Sequence, residues 1–308
     1  MNADEKTEKI VELSIVVASL YALPDLKNCL DAILEQSEIA SSAIEIIVAD
    51  CCLKEKTAEW IEKFPAIEFI EFPPKTSLAK LLGAGIACAN GEIIAITDSS
   101  CVVADDWISS ITRAHAAEKS PVIGGAVEMS ENGKLTDWAA YFCDYGEFMP
   151  PAPCGIAAVV PGNNFSVKRA ALRRETEYVA PEFWKTLWCR RLQSEGIELF
   201  SEPAIRVGWR KSYKLNSFLV RRFHQGRCFA GMRFANETFS KRIFYSIGSI
   251  FLPVVFLYRI AATVLRRKRF YGKFILSLPI IVLAVFFWSL GEAFGFLFGA
   301  GTSCGRID

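Results

Sequence analysis

Residues Ile93-Ile94-Ala95-Ile96 form a short, continuous apolar run bounded by turn signals. A run of this kind suits a strand buried on both faces, which requires helices above and below its sheet. An apolar helical face (Ile86, Ala87, Ala89) leads into the Asn90-Gly91 turn before it, and Thr97-Asp98-Ser99-Ser100 follows it. A carboxylate and three hydroxyls at the carboxyl end of a buried strand stand where open α/β sheets bind ligands. The same residues also make a simple Asp-Ser turn, in which Asp98 only closes the chain reversal.

The pattern repeats on the amino-terminal side. Leu13–Ser19 reads as a first buried strand, and Pro24–Gln36 as a helix with Leu26, Leu30, Ile33 and Leu34 on its apolar face. Ile44–Asp50 is a second strand that ends in a carboxylate. Thr57–Phe64 reads as helix, Ile67–Phe72 as strand and Ser77–Ala89 as helix. Strands alternating with helices predict a mostly parallel, Rossmann-like α/β sheet with right-handed crossovers. Two of its strands end in Asp, at Asp50 and Asp98, which suits a nucleotide-sugar and metal site at one edge. No G-x-G-x-x-G and no Walker A loop is present, which argues against a dinucleotide or P-loop nucleotide.

Further along, Trp107–Glu118 reads as helix, Val122–Val127 as strand and Leu135–Phe148 as an aromatic amphipathic stretch. Gly162-Asn163-Asn164 is a compact set of donors and acceptors that suits a hydroxyl-rich substrate, and equally an Asn-Gly turn. Phe183–Ser194 reads as helix and Glu198–Val207 as a last strand. His115 and His224 are the only histidines, and neither lies in a catalytic motif.

Past Ser212 the character changes. The net charge of the whole chain is only +1, so no global field points to nucleic acid. Between Arg206 and Lys273, however, Lys and Arg far outnumber acids, and Phe218–Phe234 interleaves Arg221, Arg222, His224, Arg227 and Arg233 with aromatics. Such a stretch beside apolar segments points to an anionic membrane surface. The hydrophobic content of 52% and mean hydropathy of +0.25 are high for a purely soluble enzyme. Ile243–Leu265 is a long apolar segment interrupted by Pro253 and Arg259. Arg266-Arg267-Lys268-Arg269 follow, and then Phe274–Gly291 is apolar and uncharged. Two simple spans would place the Arg266–Arg269 cluster outside, against the positive-inside tendency. The expectation is an interfacial or re-entrant hairpin over Ile243–Leu265 and a true span over Phe274–Gly291. The expected organisation is an α/β domain over 1–211, a basic amphipathic interfacial segment over 212–242 and membrane elements over 243–308. The ten cysteines show no zinc spacing and read as free thiols in a reducing compartment. The charged start, Met1–Glu12, is unlike a secretory signal.

In this order the pieces resemble family 2 glycosyltransferases, inverting enzymes of the GT-A fold. Ser14–Ser19 is similar to their opening S-I-V-I-P-T strand, and Glu45–Asp50 to E-I-I-V-V-D. Ala89-Asn90-Gly91-Glu92-Ile93-Ile94 with Asp98-Ser99-Ser100 resembles A-x-G-E-x-I followed by D-x-D. Gly162-Asn163-Asn164 resembles the acceptor-side G-x-N, and Arg191–Gly196 the R-L-x-x-x-G segment. Trp288-Ser289-Leu290-Gly291-Glu292 is similar to the W-x-x-G-E of membrane-attached members.

The resemblance makes the domain over 1–211 glycosyltransferase-like and implies a nucleotide-sugar donor held by Ser19, Asp50, Lys80 and Asp98, with Asn163, Asn164 and Trp184 on the substrate. It also implies a divalent metal, Mg²⁺ or Mn²⁺, at Asp98 and Ser100. Three departures stand out. Ser100 replaces the second aspartate of D-x-D, and a hydroxyl is a poorer ligand for a hard cation. Leu82-Gly83 stands where the family has R-N. Lys185 falls where the catalytic acid is expected, which leaves Glu182, about one helical turn earlier, as the substitute base. The resemblance also implies an acceptor that is lipid-linked or membrane-proximal, and a transferase domain on the cytoplasmic face of the cell (inner) membrane. The alternative is a degenerate member that binds a sugar nucleotide or a partner without turnover.

Overall fold

The structure is a computed structural model that describes residues 11–20, 23–37, 43–53, 57–130, 132–173, 182–234 and 237–307. Most of the charged stretch Met1–Glu12 lies outside the described residues. Two compact units are present. The first comprises Met1–Pro74, Leu78–Gly125 and Pro153–Val207, and the second Lys75–Ser77, Ala126–Ala152 and Gly208–Asp308.

The apolar runs of the first unit become β1 (Leu13–Ser19), β2 (Ile44–Asp50), β3 (Ile67–Glu71) and β4 (Ile93–Asp98), which pair in parallel in the order β3-β2-β1-β4. Every residue of β1 is buried, as expected of a strand covered on both faces. The crossovers contain α1 (Leu23–Ser37), α2 (Thr57–Lys63) and α3 (Leu78–Cys88). At Gly91 a methyl group would sit 2.5 Å from the Ser14 amide nitrogen, so the turn into β4 has no room for a side chain.

Beyond β4 come β5 (Cys101–Val103), α4 (Trp107–Ala117), β6 (Val122–Met129), α5 (Leu135–Asp144), β7 (Gly155–Ala157), β8 (Asn164–Lys168), α6 (Arg169–Arg173), α7 (Lys185–Ser194) and β9 (Leu199–Trp209). The sheet continues β4-β8-β6-β9-β5, with β8 antiparallel to both β4 and β6 and β7 antiparallel to β9. The parallel expectation therefore holds for the first half only, and the sheet is mixed. The turn residues Gly162-Asn163-Asn164 obscured β8, which starts inside that cluster. Phe165 of β8 stacks on Phe183 at 6.3 Å, and Phe183 packs on Trp188 of α7 at 5.4 Å.

The second unit gathers α5 with α8 (Leu215–Arg233), α9 (Phe239–Gly248), α10 (Leu252–Arg267) and α11 (Tyr271–Phe298). Pro253 stands in the first turn of α10, where its missing N–H costs nothing. Helices α8 and α11 touch backbone to backbone along a glycine seam. A methyl at Gly226 would lie 2.1 Å from the Trp288 carbonyl oxygen, and one at Gly291 2.1 Å from that of Phe223. Partners rise together along both helices, so the two run parallel. Small residues permit this approach.

The basic character of α8 is spent largely inside the unit. Asp144 of α5 accepts from Arg221 at 2.9 Å and from Arg222 at 2.6 Å, and the Arg222 guanidinium stacks on Trp288 at 4.3 Å. Arg227 donates to the Gly299 carbonyl at 3.1 Å, and Arg242 to Leu297 at 2.9 Å and to Phe296 at 2.6 Å. Cations thus meet the negative end of α11.

This seam bears on the expected span. Helices Phe239–Arg267 and Tyr271–Phe298 are each long and apolar enough to cross a membrane. From Trp288 onward, however, one face of α11, at Gly291 and Gly295, lies against the arginine-bearing α8, while Leu290, Phe294 and Phe298 stay exposed. The part before the seam, Tyr271–Phe287, is about 26 Å long at about 1.5 Å per residue, short of a hydrocarbon core of ~30 Å.

One cysteine expectation is corrected. Cys228 of α8 and Cys304 are joined by a disulfide, although the other eight thiols are free. A separation of 76 residues carries no sequence signature of pairing. A bonded pair is also at odds with a reducing compartment.

Candidate functional site

Strand register brings the candidate residues to one edge. Ser19 stands opposite Asp50, and Ala18 opposite Asp98. The edge is fixed by backbone bonds from Ser99 N to Ala18 O at 3.0 Å and from Cys51 N to Ser19 O at 3.1 Å. Asn164 pairs with Thr97, so Asn163 lies one residue further, at the same end.

Both aspartates close turns. Asp50 Oδ2 accepts from the amides of Cys52 at 2.9 Å and Leu53 at 2.7 Å. Asp98 Oδ1 accepts from the Ser100 amide at 2.8 Å and from the Ser100 hydroxyl. The turn reading made for Asp98 is therefore correct, and Asp50 closes a turn as well, yet this does not exhaust them. Asp50 Oδ1 is buried without a partner, and so are Ser19 Oγ, Thr97 Oγ1, Ser99 Oγ and Asn163 Oδ1. A buried polar atom without a partner costs roughly 1–3 kcal/mol, so such atoms are few in folded proteins. Several such atoms gather at this one strand edge.

The two asparagines separate. Asn164 is fully buried; its Oδ1 accepts from Trp107 Nε1 at 2.9 Å and its Nδ2 donates to the Ile205 carbonyl at 2.9 Å. Asn163 donates through Nδ2 to Cys101 Sγ at 3.1 Å and keeps its oxygen unengaged.

Near α7, Phe183 N donates to the Ala79 carbonyl at 2.7 Å, which seats this segment on the first turn of α3 beside the exposed Lys80. Glu182 is exposed, and its Oε2 accepts from the indole of half-buried Trp184 at 3.1 Å. Lys185 opens α7, and its ammonium donates to the Val160 carbonyl, on the chain that leads to Asn163.

The groups present do not make a resident metal site. Among the described residues no set of three His, Cys, Asp or Glu converges. Asp98 is the one carboxylate of its turn, and the Ser100 hydroxyl is engaged in donating to it. Cys29 and Cys101 are held as neutral thiols, their pKa pushed up first by burial and then by the charge of Asp98. Neither is a ready thiolate ligand.

His115 is buried on the side of β8, with Nε2 2.8 Å from Ser166 Oγ. Burial, and secondarily Lys168, lowers its pKa to about 4. Its folded pKa lies below the unfolded value near 6.5, so the neutral ring is favoured in the fold. Stability is complete above about pH 6.5 and falls as pH drops towards 4, by on the order of 3 kcal/mol. Thermal melts between pH 7.5 and 4.5 are expected to show this slope, and His115→Gln to flatten it.

A family model described as "Glycosyl transferase family 2" matches residues 14–175, more than half of the chain. The chain belongs to glycosyltransferase family 2. No curated protein matches it at the sequence level. Among solved structures, this transferase resembles S. aureus TarS 1-349 in complex with UDP-GlcNAc, with a TM-score of 0.52 and 12% identity over 92% of this chain and 91% of that one. A second crystal structure of S. aureus TarS 1-349 gives a TM-score of 0.50 at 11% identity, again over 92% and 91%. The mannosyltransferase PcManGT from Pyrobaculum calidifontis, in complex with GDP-Man and Mn²⁺, matches at a TM-score of 0.47 and 16% identity, over 93% and 74%. The family 2 transferase accordingly has the GT-A fold. Thr97 and Ser99 received less weight in the sequence than Ser100, whose hydroxyl turns out to be engaged by Asp98. Trp107, which holds Asn164, carried no signal beyond its place at a helix start.

Proposed function

We propose that this glycosyltransferase binds a nucleotide sugar at the β1–β2–β4 edge and passes the sugar, with inversion, to an acceptor presented at a membrane surface. The unengaged polar atoms of Ser19, Asp50, Ser99 and Asn163 at that edge are the observation that supports it. Asp50 and Ser19 contact the nucleoside, and Asp98 accepts from a hydroxyl of the donor's ribose. Asn163 accepts from a substrate hydroxyl, while Asn164 is its positioning residue. Glu182 takes the acceptor's hydroxyl proton as that oxygen attacks the anomeric carbon and the nucleoside diphosphate departs. Lys80 meets the departing charge. Trp184 orients Glu182 and borders the sugar. Lys185 acts through the Val160 carbonyl, which is why an ammonium is tolerated there.

No step runs through a metal, because Asp98 stands without a second carboxylate. Ser100→Asp is therefore expected to create a dependence on Mn²⁺ that the parent lacks. Chelator titration of both proteins checks this; equal sensitivity would contradict it.

The exposed Phe244, Ile247, Ile250, Phe251 and Val254 of the α9–α10 stretch are a large apolar patch for a water-facing surface. With Arg266, Lys268 and Arg269 at the other end of α10, this patch supports attachment along the membrane face, and the seam favours a helix α11 that dips into the bilayer rather than crossing it. The transferase unit then faces the compartment that makes sugar nucleotides, the cytoplasm, at the cell membrane. The Cys228–Cys304 bond is the counter-observation, and thiol alkylation before lysis reads it.

The test of function is a panel of nucleotide sugars offered to membranes that contain the full chain, with sugar counted in the lipid and aqueous fractions. Transfer from one donor supports the proposal. Donor binding without transfer from any donor supports the second reading, a binding protein without turnover, which Lys185 at the family's acid position favours.

A further inference from the structure

Two thiols follow directly on the β1–β2–β4 edge. Cys51 and Cys52 come next after Asp50 at the end of β2, both reduced, with their sulfurs 4.0 Å apart. Cys51 is buried and Cys52 half-buried, so a reagent in solution reaches the second thiol first.

Each of the two is tied to a residue of the edge. Cys51 donates twice to the Ser19 carbonyl, through its amide at 3.1 Å and its thiol at 3.5 Å. The Cys52 amide donates to Asp50 Oδ2 at 2.9 Å, beside the Leu53 amide at 2.7 Å. These bonds hold the turn in which Asp50 Oδ1 and Ser19 Oγ are left unengaged.

A bond between the two sulfurs would not leave this turn as it is. They would have to close from 4.0 Å to about 2.05 Å. Successive Cα atoms are about 3.8 Å apart across a trans peptide, whereas bridged cysteines usually have Cα atoms roughly 4.4–6.8 Å apart. The backbone between the sulfurs must therefore rotate, and that backbone contains the Cys52 amide. Closing the ring draws this N–H from Asp50 and the Cys51 thiol from the Ser19 carbonyl. Strained disulfides are also easily reduced again, which suits them to regulation.

We infer that Cys51 and Cys52 are a dithiol switch on the donor edge: a small-molecule disulfide oxidises the pair to a vicinal disulfide, which opens the Asp50 turn, and a small thiol restores it. The Cys52 thiolate attacks one sulfur of the oxidant, and a first small thiol leaves. The Cys51 thiolate then attacks Cys52 Sγ, and a second small thiol leaves. The pair loses two electrons and two protons, and the oxidant's disulfide gains them. Control of donor binding rests on the function proposed above; the oxidation itself does not.

The test equilibrates the full chain in detergent micelles with oxidised and reduced glutathione at several ratios. At the oxidising end, fragment mass spectrometry is expected to place a bond within Cys51–Cys52. Amide hydrogen exchange at Cys52 and Leu53 is expected to be at least tenfold faster there, and affinity for UDP-GlcNAc or GDP-mannose at least tenfold weaker. Excess reduced glutathione reverses all three. Cys51→Ser and Cys52→Ser are each expected to melt like the reduced parent and to show none of these changes. Glutathione attached to Cys52 without closure overturns the inference. So does a closed pair with unchanged exchange or with the donor affinity of the reduced chain, and so does an equal response in a folded serine variant. If neither nucleotide sugar binds the reduced chain, the donor reading fails by itself, and the bond and the exchange rates still decide the switch.

Discussion

Asp98→Asn is expected to lower sugar transfer by roughly ten- to a hundredfold while the melting temperature stays near that of the parent. The carboxylate ends a strand that is buried along its length and sits 9% exposed at the edge where unengaged polar atoms gather. Asparagine retains an Oδ1 to accept from Ser100, so the turn survives and only the charge is lost. Losing a charged acceptor for a donor hydroxyl costs roughly 1.5–3 kcal/mol. Asp98→Ala adds a structural cost, because the Ser100 amide and hydroxyl lose their acceptor, on the order of 1–3 kcal/mol. Comparing melts and turnover of the two variants separates the effects. If Asp98→Asn transfers sugar at the parental rate, Asp98 is a turn residue and nothing more.

Gly291→Val is expected to break the second unit. The new Cβ would begin 2.1 Å from the Phe223 carbonyl oxygen, and neither is on a flexible side chain. Helices α8 and α11 would have to separate, and with them the contacts between Arg222 and Trp288 and between Arg227 and the end of α11. A loss above about 3 kcal/mol is expected, beyond the usual range for one substitution. Gly248→Ala is the internal control: nothing lies within 4 Å of its new Cβ, and alanine in a helix gains up to about 1 kcal/mol. Limited proteolysis of α8–α11 distinguishes the two. A Gly291→Val protein that is as resistant as the parent would show that the seam is not closely packed.

The amino-terminal half of the fold was legible because a strand segment buried on both faces has to be apolar, and Ile15–Ala18 of β1, Ile46–Ala49 of β2 and Ile93–Ile96 of β4 obey this. Asp50 and Asp98 stood out for the same reason, as carboxylates where apolar runs stop. Strand β8 was hidden, since its first residue, Asn164, is polar yet fully buried, satisfied by Trp107 and Ile205 from distant parts of the chain. Polarity there reports an internal bond, and one sequence cannot tell that from a bond to substrate. The same holds for α8, whose arginines look like a surface for anions. Their partners, Asp144 and the carbonyls at the end of α11, are far away in sequence. Lys185 is a third case: read as an unsuitable base, it has a local acceptor in the Val160 carbonyl that no motif announces.

The claim that the β1–β2–β4 edge is a donor site is tested most directly by binding. Calorimetric titration of the full chain with UDP-, GDP- and other nucleotide sugars is expected to give one-to-one binding of at least one donor, weakened at least tenfold by Asp50→Ala. No binding of any nucleotide sugar, or binding that Asp50→Ala leaves unchanged in a folded protein, would contradict it.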